Sequence, residues 1–409
     1  MAEAQKQFEY VVRDRQGKVS KGKIQAPNQN AVAGKLREMG MATISITETS
    51  SEGLNTEISI PGLSDKIGLK ELAIMSRQMS TMISAGLSLL RTLTILAEQT
   101  ESKPLARVIG EVRNDVQQGV SLSSGLNKHP EVFPPLMINM IKAGEVGGFL
   151  EQSLISVAEN FEAELKLRQT VKSAMTYPVV VLIIAILAVI GMLLFIVPVF
   201  EGMFDGLGGS LPAPTQFLVW LSGVMKTLGP LLIVGLVALS VWWNKNKNKA
   251  SIRAKVDPFK LKMPVFGSLM QKIAISRFTR NFGTMMHAGV PLLQSLDIVG
   301  QTAGNYVIEQ AVRDIQDAVR RGETLSGPLA KHEVFPPMVV QMISVGEDAG
   351  SLELMLHKIS DFYDQEVDAT TKQLASLIEP LMIVTIGAIV GGMIVALYMP
   401  IFSVFELVG

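Results

Sequence analysis

Two acidic turns are the sequence's leading candidates for chemistry. GEVGGFLE begins at Gly144 and GEDAGSLE at Gly346, each setting a carboxylate beside glycines, Gly148 and Gly350 among them, that permit a tight turn. Glu145, Glu347 and Asp348 then have two readings. The carboxylate can sit at the start of the following helix and take its free N–H groups, or it can contact a basic partner or a divalent ion. Upstream of each turn stands the block EVFPP, where Phe133 or Phe335 anchors a loop and Pro134 or Pro336 helps to begin a helix. The four histidines, His129, His287, His332 and His357, are scattered, and His129 and His332 adjoin the EVFPP blocks. They read as loop histidines at helix boundaries, with a paired metal or pH site as the alternative.

Other reactive groupings are missing. With no cysteine, the chain has no disulfide, no thiolate nucleophile and no cysteine-based metal site. There is no GxxxxGK[ST] stretch for phosphates, no HExxH and no GxSxG. The sequence therefore predicts a non-enzyme without cofactor or metal. Thirty-seven basic residues balance 37 acidic ones, and this zero formal charge argues against nucleic acid as a partner. The helical arginines Arg107, Arg113, Arg313, Arg320 and Arg321 lie among acids and read as solvated faces.

Such turns need elements to hold them, and the elements are tied to a membrane. The chain is 48% hydrophobic with only 18% charged residues, more apolar than a soluble enzyme. Residues 178–200 and 380–402 carry no charge and are rich in Val, Ile and Leu, enough to insert with several kcal/mol to spare. A third stretch holds Lys226 and Gly229-Pro230; its span is expected over 224–243, with Lys226 one turn from the outer end and Trp242 and Trp243 in the interfacial belt. The loop at 201–223 is acidic, whereas 244–271 carries Lys245, Lys247, Lys249, Arg253, Lys255, Lys260 and Lys262. The positive-inside rule then places the N-terminus and the soluble parts in the cytoplasm, and the tail at 403–409 outside. The N-terminus shows no signal-peptide pattern, so no cleaved leader is expected.

The chain repeats itself. RQMSTMISAGLSLLRTL from Arg77 aligns with RNFGTMMHAGVPLLQSL from Arg280 at an offset of 203 residues, and after a single-residue change near Pro130 the EVFPP and GE blocks align at 202. Pro178 then opposes Pro380, and Pro198 opposes Pro400. Leu154, Val157, Phe161 and Leu165 mark a helix face matched by Leu352, Leu356, Ile359 and Tyr363. The expected fold is mainly α, with cytoplasmic six-helix bundle domains at 69–177 and 272–379 and the last helix of each running into its span. Glycines such as Gly86 and Gly289 mark the turns. Ahead of these, FEYVVRD, VSKGKIQA and TISIT read as strands and Asn28 as a helix cap, giving a small α+β module at 1–50 and a linker at 51–68. Arg13, Arg15, Lys18, Lys21 and Lys23 on that module could dock on an acidic protein or form an ordinary soluble surface.

With these motifs in view, the chain resembles the type IV pilus assembly platform proteins, the PilC-like relatives of the type II secretion F protein. MSTMISAGLSLL and FGTMMHAGVPLL, the paired FPP…GE blocks, the N-terminal pattern from Tyr10 to Ala26 and the three-span order carry the resemblance over nearly the whole chain. It implies a non-catalytic inner-membrane platform at the base of a fibre. That platform engages a hexameric cytoplasmic ATPase, contacts alignment proteins and prepilins, and passes ATPase motion to pilin subunits; whether a retraction ATPase also binds is left open. It also implies a homo-oligomer, with a dimer as the expected state. Motif residues Gly86, Gly144, Glu145 and Gly148 correspond to Gly289, Gly346, Glu347 and Gly350, while Gly147 becomes Ala349 and breaks the double glycine. Taken from the residues alone, a polytopic transporter or channel component remains the alternative.

Overall fold

The computed structural model describes residues 6–13, 19–26, 29–38, 42–49, 67–205, 211–247 and 249–408. The chain divides into two compact units, 1–66 and 67–409. In the first, β1 (Lys6–Arg13), β2 (Val19–Ala26), α1 (Gln29–Glu38) and β3 (Ala42–Thr49) follow one another. The sheet order is β2-β1-β3 with both pairs antiparallel, and β1 shifts register against β3 between Val11 and Val12. Val32 and Leu36, one turn apart on α1, are fully buried.

The second unit opens with α2 (Leu69–Ser84), α3 (Leu89–Gln99), α4 (Lys103–Gln117), α5 (Leu122–Leu126), α6 (Pro135–Gly147) and α7 (Leu150–Gly191). Gly86 ends α2 with φ of 86°, a conformation costly for other residues. Ser88 and Ser121 accept from backbone N–H groups three residues on, starting α3 and α5. Phe133 is wholly buried, and Pro134 and Pro135 form the cap and first residue of α6, where a missing N–H costs nothing.

From α7 the helix passes through a π turn at Met192–Ile196 into α8 (Val197–Asp205). The next helices are α9 (Ala213–Asn246) and α10 (Ala250–Lys262). The second copy follows as α11 (Phe266–His287), α12 (Leu292–Thr302), α13 (Tyr306–Arg320), α14 (Ser326–Leu329), α15 (Pro337–Asp348) and α16 (Leu352–Val408). Leu154, Val157, Phe161, Leu356, Ile359 and Tyr363 are buried, and both copies contribute to one continuous hydrophobic cluster. Gly289 repeats the turn of Gly86 with φ of 67°. Phe335 repeats Phe133, its ring tilted against that of Phe278 with centroids 5.3 Å apart.

Three helical stretches, Leu150–Met203, Ala213–Asn246 and Leu352–Pro400, are long and apolar enough to cross a membrane. The middle one contains the expected span at 224–243. Helix α9 begins at Ala213, so Lys226 lies roughly three and a half turns inside it, and Gly229-Pro230 is carried within the helix. Thr215, Leu218 and Ser222 supply the reason: they are buried, and this segment packs on the ends of the outer spans. The basic stretch at 244–271 contains α10 and the start of α11.

Candidate functional site

Both acidic turns are built alike. Gly148 and Gly350 end their helices in the left-handed region at φ of 75° and 64°. Phe149 N–H then donates to the Gly144 carbonyl at 2.9 Å, and Ser351 N–H to that of Gly346 at 2.8 Å. One turn earlier, a side chain on Gly144 would bring its Cβ 2.4 Å from Ser153 Oγ and 3.0 Å from Leu150 Cα. At Gly346 it would stand 2.9 Å from Met355 Cγ and 3.0 Å from Leu352 Cα. These glycines let α6 and α15 touch the helix that follows, and a Cβ there would force backbones apart. Ala349 is accommodated because its neighbour changes too. A Cβ on Gly147 would strike Phe149, but the residue equivalent to Phe149 in the second copy is Ser351.

The carboxylates turn in an unexpected direction. Glu145 accepts from the N–H groups of Leu122 at 2.5 Å and Ser123 at 3.1 Å, and from Ser123 Oγ. Glu347 accepts from the N–H groups of Leu325 at 2.8 Å and Ser326 at 3.3 Å, and from Ser326 Oγ at 3.3 Å. Each therefore caps the short helix before it, α5 or α14, and not the helix after it. Such helices are too short to hold themselves, and an anion on their free N–H groups compensates. Asp348, by contrast, is exposed, and its equivalent Val146 is 84% exposed. The turn thus presents Asp348 to solvent and keeps both glutamates for its own fold. Lys18 lies outside the described residues. Arg13 sits on β1, and Lys21 and Lys23 on β2 pair with Val11 and Glu9.

A second repeated constellation escapes motif reading. Arg77 on α2 grips Glu162 on α7 through Nε at 2.6 Å and Nη2 at 2.5 Å. Its equivalent, Arg280 on α11, donates to both oxygens of Asp364 on α16 and to Ser276 Oγ. In each copy an arginine clamps the first helix to the last, Arg77 through two nitrogens and Arg280 through Nη2 alone. Arg77 holds the Glu162 carboxyl below its ordinary value of 4.5. Burial differs, since the Arg280 side chain is 7% exposed against 39% for Arg77, and Arg280 Nη1 has no partner. The only sequence trace was that both arginines open the aligned repeat. The histidines also obey the repeat: His129 faces Glu111 at 3.5 Å and His332 faces Asp314 at 3.4 Å. Among the described residues no group of three or more ligating side chains could hold a metal ion.

The copies meet through polar contacts on α7 and α11. Asn160 donates to Asn281 at 3.0 Å, and Arg277 bonds Glu164 at 2.6 Å and 2.9 Å. Farther along, Leu167, Leu269, Val367 and Leu374 form a small apolar cluster that joins α7, α11 and α16 just before Pro178 and Pro380. At the opposite end, α9 mends the outer spans. The π turn directs Val197 N–H to the Met192 carbonyl; the next donor in that register would be Pro198, which has none. Ser222 Oγ fills the place, donating to the Leu193 carbonyl at 2.6 Å. Pro400 likewise frees the Ala396 carbonyl, and Thr215 Oγ1 donates to it.

Family models described as "Type II secretion system (T2SS), protein F" match residues 75–198 and 278–400, the two repeats. A model described as "Type II secretion system protein F, N-terminal domain" matches residues 1–47. The chain is 39% identical over 397 residues to the "Type IV pilus assembly protein PilC" of Myxococcus xanthus, covering 97% of this chain and 94% of that protein. It is 39% identical over 398 residues to the PilC of Thermus thermophilus, covering 97% and 98%. With the "Type II secretion system protein F" of Vibrio cholerae it shares 30% over 400 residues, covering 98% of each. A twice-matched repeat and relatives similar along nearly their whole length lead to one conclusion: the chain belongs to the type II secretion system protein F family.

Proposed function

We propose that this chain is the inner-membrane assembly platform of a type IV pilus or type II secretion machine, passing the motion of a cytoplasmic hexameric ATPase to pilin subunits drawn from the bilayer. One observation carries the reading: α7 and α16 each belong at once to a packed helical domain and to a membrane-length apolar stretch. A helix shared in this way transmits displacement without a joint. The chain has no P-loop, so a separate motor must supply the energy. The names of relatives along the whole length support the assignment to pilus or secretion machinery.

In this reading both helical domains and the N-terminus face the cytoplasm, the tail faces outward, and the protein works as a homo-oligomer, a dimer, beside prepilins and alignment proteins. Asp348 on the second acidic turn, with Arg13, Lys18, Lys21 and Lys23 on the N-terminal module, are the partner contacts proposed for the ATPase. Deletion of the gene should leave prepilin made and processed but abolish the surface fibre or secretion, and complementation should restore it. Because the chain lacks cysteine, Asp348→Cys or Lys23→Cys in whole cells gives a clean readout. Each should resist a membrane-impermeant thiol reagent until the cells are opened, and each should crosslink to the ATPase. Labelling of the Asp348→Cys variant in intact cells would overturn the orientation; crosslinks from other surface positions only would overturn the contact assignment.

A further inference from the structure

We infer that the α10–α11 corner is a binding site for anionic phospholipid headgroups; this rests on the reading of α7, α9 and α16 as membrane spans. Helix α10 starts a few residues after α9, whose end carries the exposed Trp242 and Trp243. Its other end is also held near the bilayer. Phe266, the first residue of α11, packs in the cluster with Met175 and Leu374, about 5–10 Å of helix rise before Pro178 and Pro380.

The two faces of α10 are sharply different. Inward, buried Asp257 accepts from Tyr306 N–H at 3.0 Å and pairs with Arg253 and Lys260, while Arg253 also reaches Glu309. Outward, Lys255, Phe259, Lys262 and Met263 are exposed, Phe259 by 67%. Asp257 is the only acid between Asn244 and Val265, and it is consumed internally. Lys245, Lys249, Lys255 and Lys262 thus have no ion-pair partner among the described residues.

The corner itself is held open at a cost. Val265 adopts φ of 70° and ψ of −53°, closed by Phe266 N–H donating to the Pro264 carbonyl at 2.8 Å, which is a γ-turn of the strained hand. Gly267 makes the tight return possible, since a Cβ there would lie 2.2 Å from the Leu261 carbonyl oxygen. The result is an exposed Val265 two residues from exposed Met263, following a helix face that carries exposed Lys255, Phe259 and Lys262, near the level where the spans begin. Apolar side chains flanked by lysines next to a span match the interfacial layer of an anionic leaflet: the side chains enter the acyl boundary and the ammonium groups take phosphates.

The test uses the full-length protein in nanodiscs with an environment-sensitive fluorophore on Val265→Cys, repeated on Met263→Cys in case the strained site tolerates no change. Asp348→Cys, about 40 Å of helix away from the membrane level, is the control. With phosphatidylglycerol present, labels at 263 and 265 should emit to the blue, resist iodide, and be quenched by brominated phosphatidylglycerol in preference to brominated phosphatidylcholine. Lys255→Gln and Lys262→Gln should each reduce that preference about fivefold. Iodide quenching at 263 and 265 equal to that at 348 would overturn the inference. So would protection indifferent to lipid charge, or protection appearing only on addition of a soluble protein partner. Nanodiscs leave both faces open, so a wrong orientation of the chain would not alter the result.

Discussion

Glu145 and Glu347 show how a residue can look like a surface contact and serve as an internal cap. Their partners lie some twenty residues earlier in the chain, at the start of α5 and α14. Local spacing could find the carboxylate and its glycines but not the direction in which tertiary packing turns it. Glu145→Ala strands two N–H groups and should cost about 2 kcal/mol in thermal or denaturant unfolding of the detergent-purified protein, with Glu145→Gln costing less. Burial separates the two arginine clamps. Arg280→Ala should cost about 1–2 kcal/mol, since it empties a buried site but leaves Asp364 partly open to water, whereas Arg77→Ala, on an exposed pair, should cost less than about 1 kcal/mol. The sign of the pH effect follows from Glu162. Its folded pKa is depressed, so the Arg77 contact contributes fully above the ordinary 4.5 and is lost as pH falls through the lower folded value. Unfolding midpoints measured from pH 6 down to pH 3 should show this loss, and Glu162→Gln should remove it.

Elements were more legible than side chains. Uncharged apolar runs of bilayer length need no partner to be recognised, and the faces marked by Leu154, Val157 and Phe161 and by Leu356 and Ile359 are buried as their spacing predicts. The start of α9 at Ala213 was not legible, because what holds its first turns is tertiary and not local. Thr215 and Ser222, in those first turns, bond to neighbouring helices. Both hydroxyls replace donors that Pro198 and Pro400 lack, in surroundings without water to compensate. Thr215→Val and Ser222→Ala should therefore each lower thermal stability by about 1 kcal/mol in detergent or bilayer. Thr215→Ser should retain most of that stability, which a mere packing effect would not do.

At the scale of the molecule, the repeat was plain in sequence but the seam between its copies was not. Asn160, Glu164, Arg277 and Asn281 read as ordinary helix polar residues until the fold brings α7 against α11. Glu164, 15% exposed and bonded to Arg277 and Arg168, is the strongest tie. Glu164→Ala should cost about 2 kcal/mol and raise hydrogen exchange along that seam while each copy's own centre stays protected. The mending of Leu193 and Ala396 by α9 has a mechanical consequence. Parting the flanking rods at the ends that α9 ties would bare two carbonyls to hydrocarbon, so those ends resist separation. α16 is 57 residues long, about 85 Å of rod, and a push on its domain-side tip would then swing it about that fastened far end. The fastened end makes a fulcrum, and a small stroke applied far below it becomes a tilt across the full depth of the lipid.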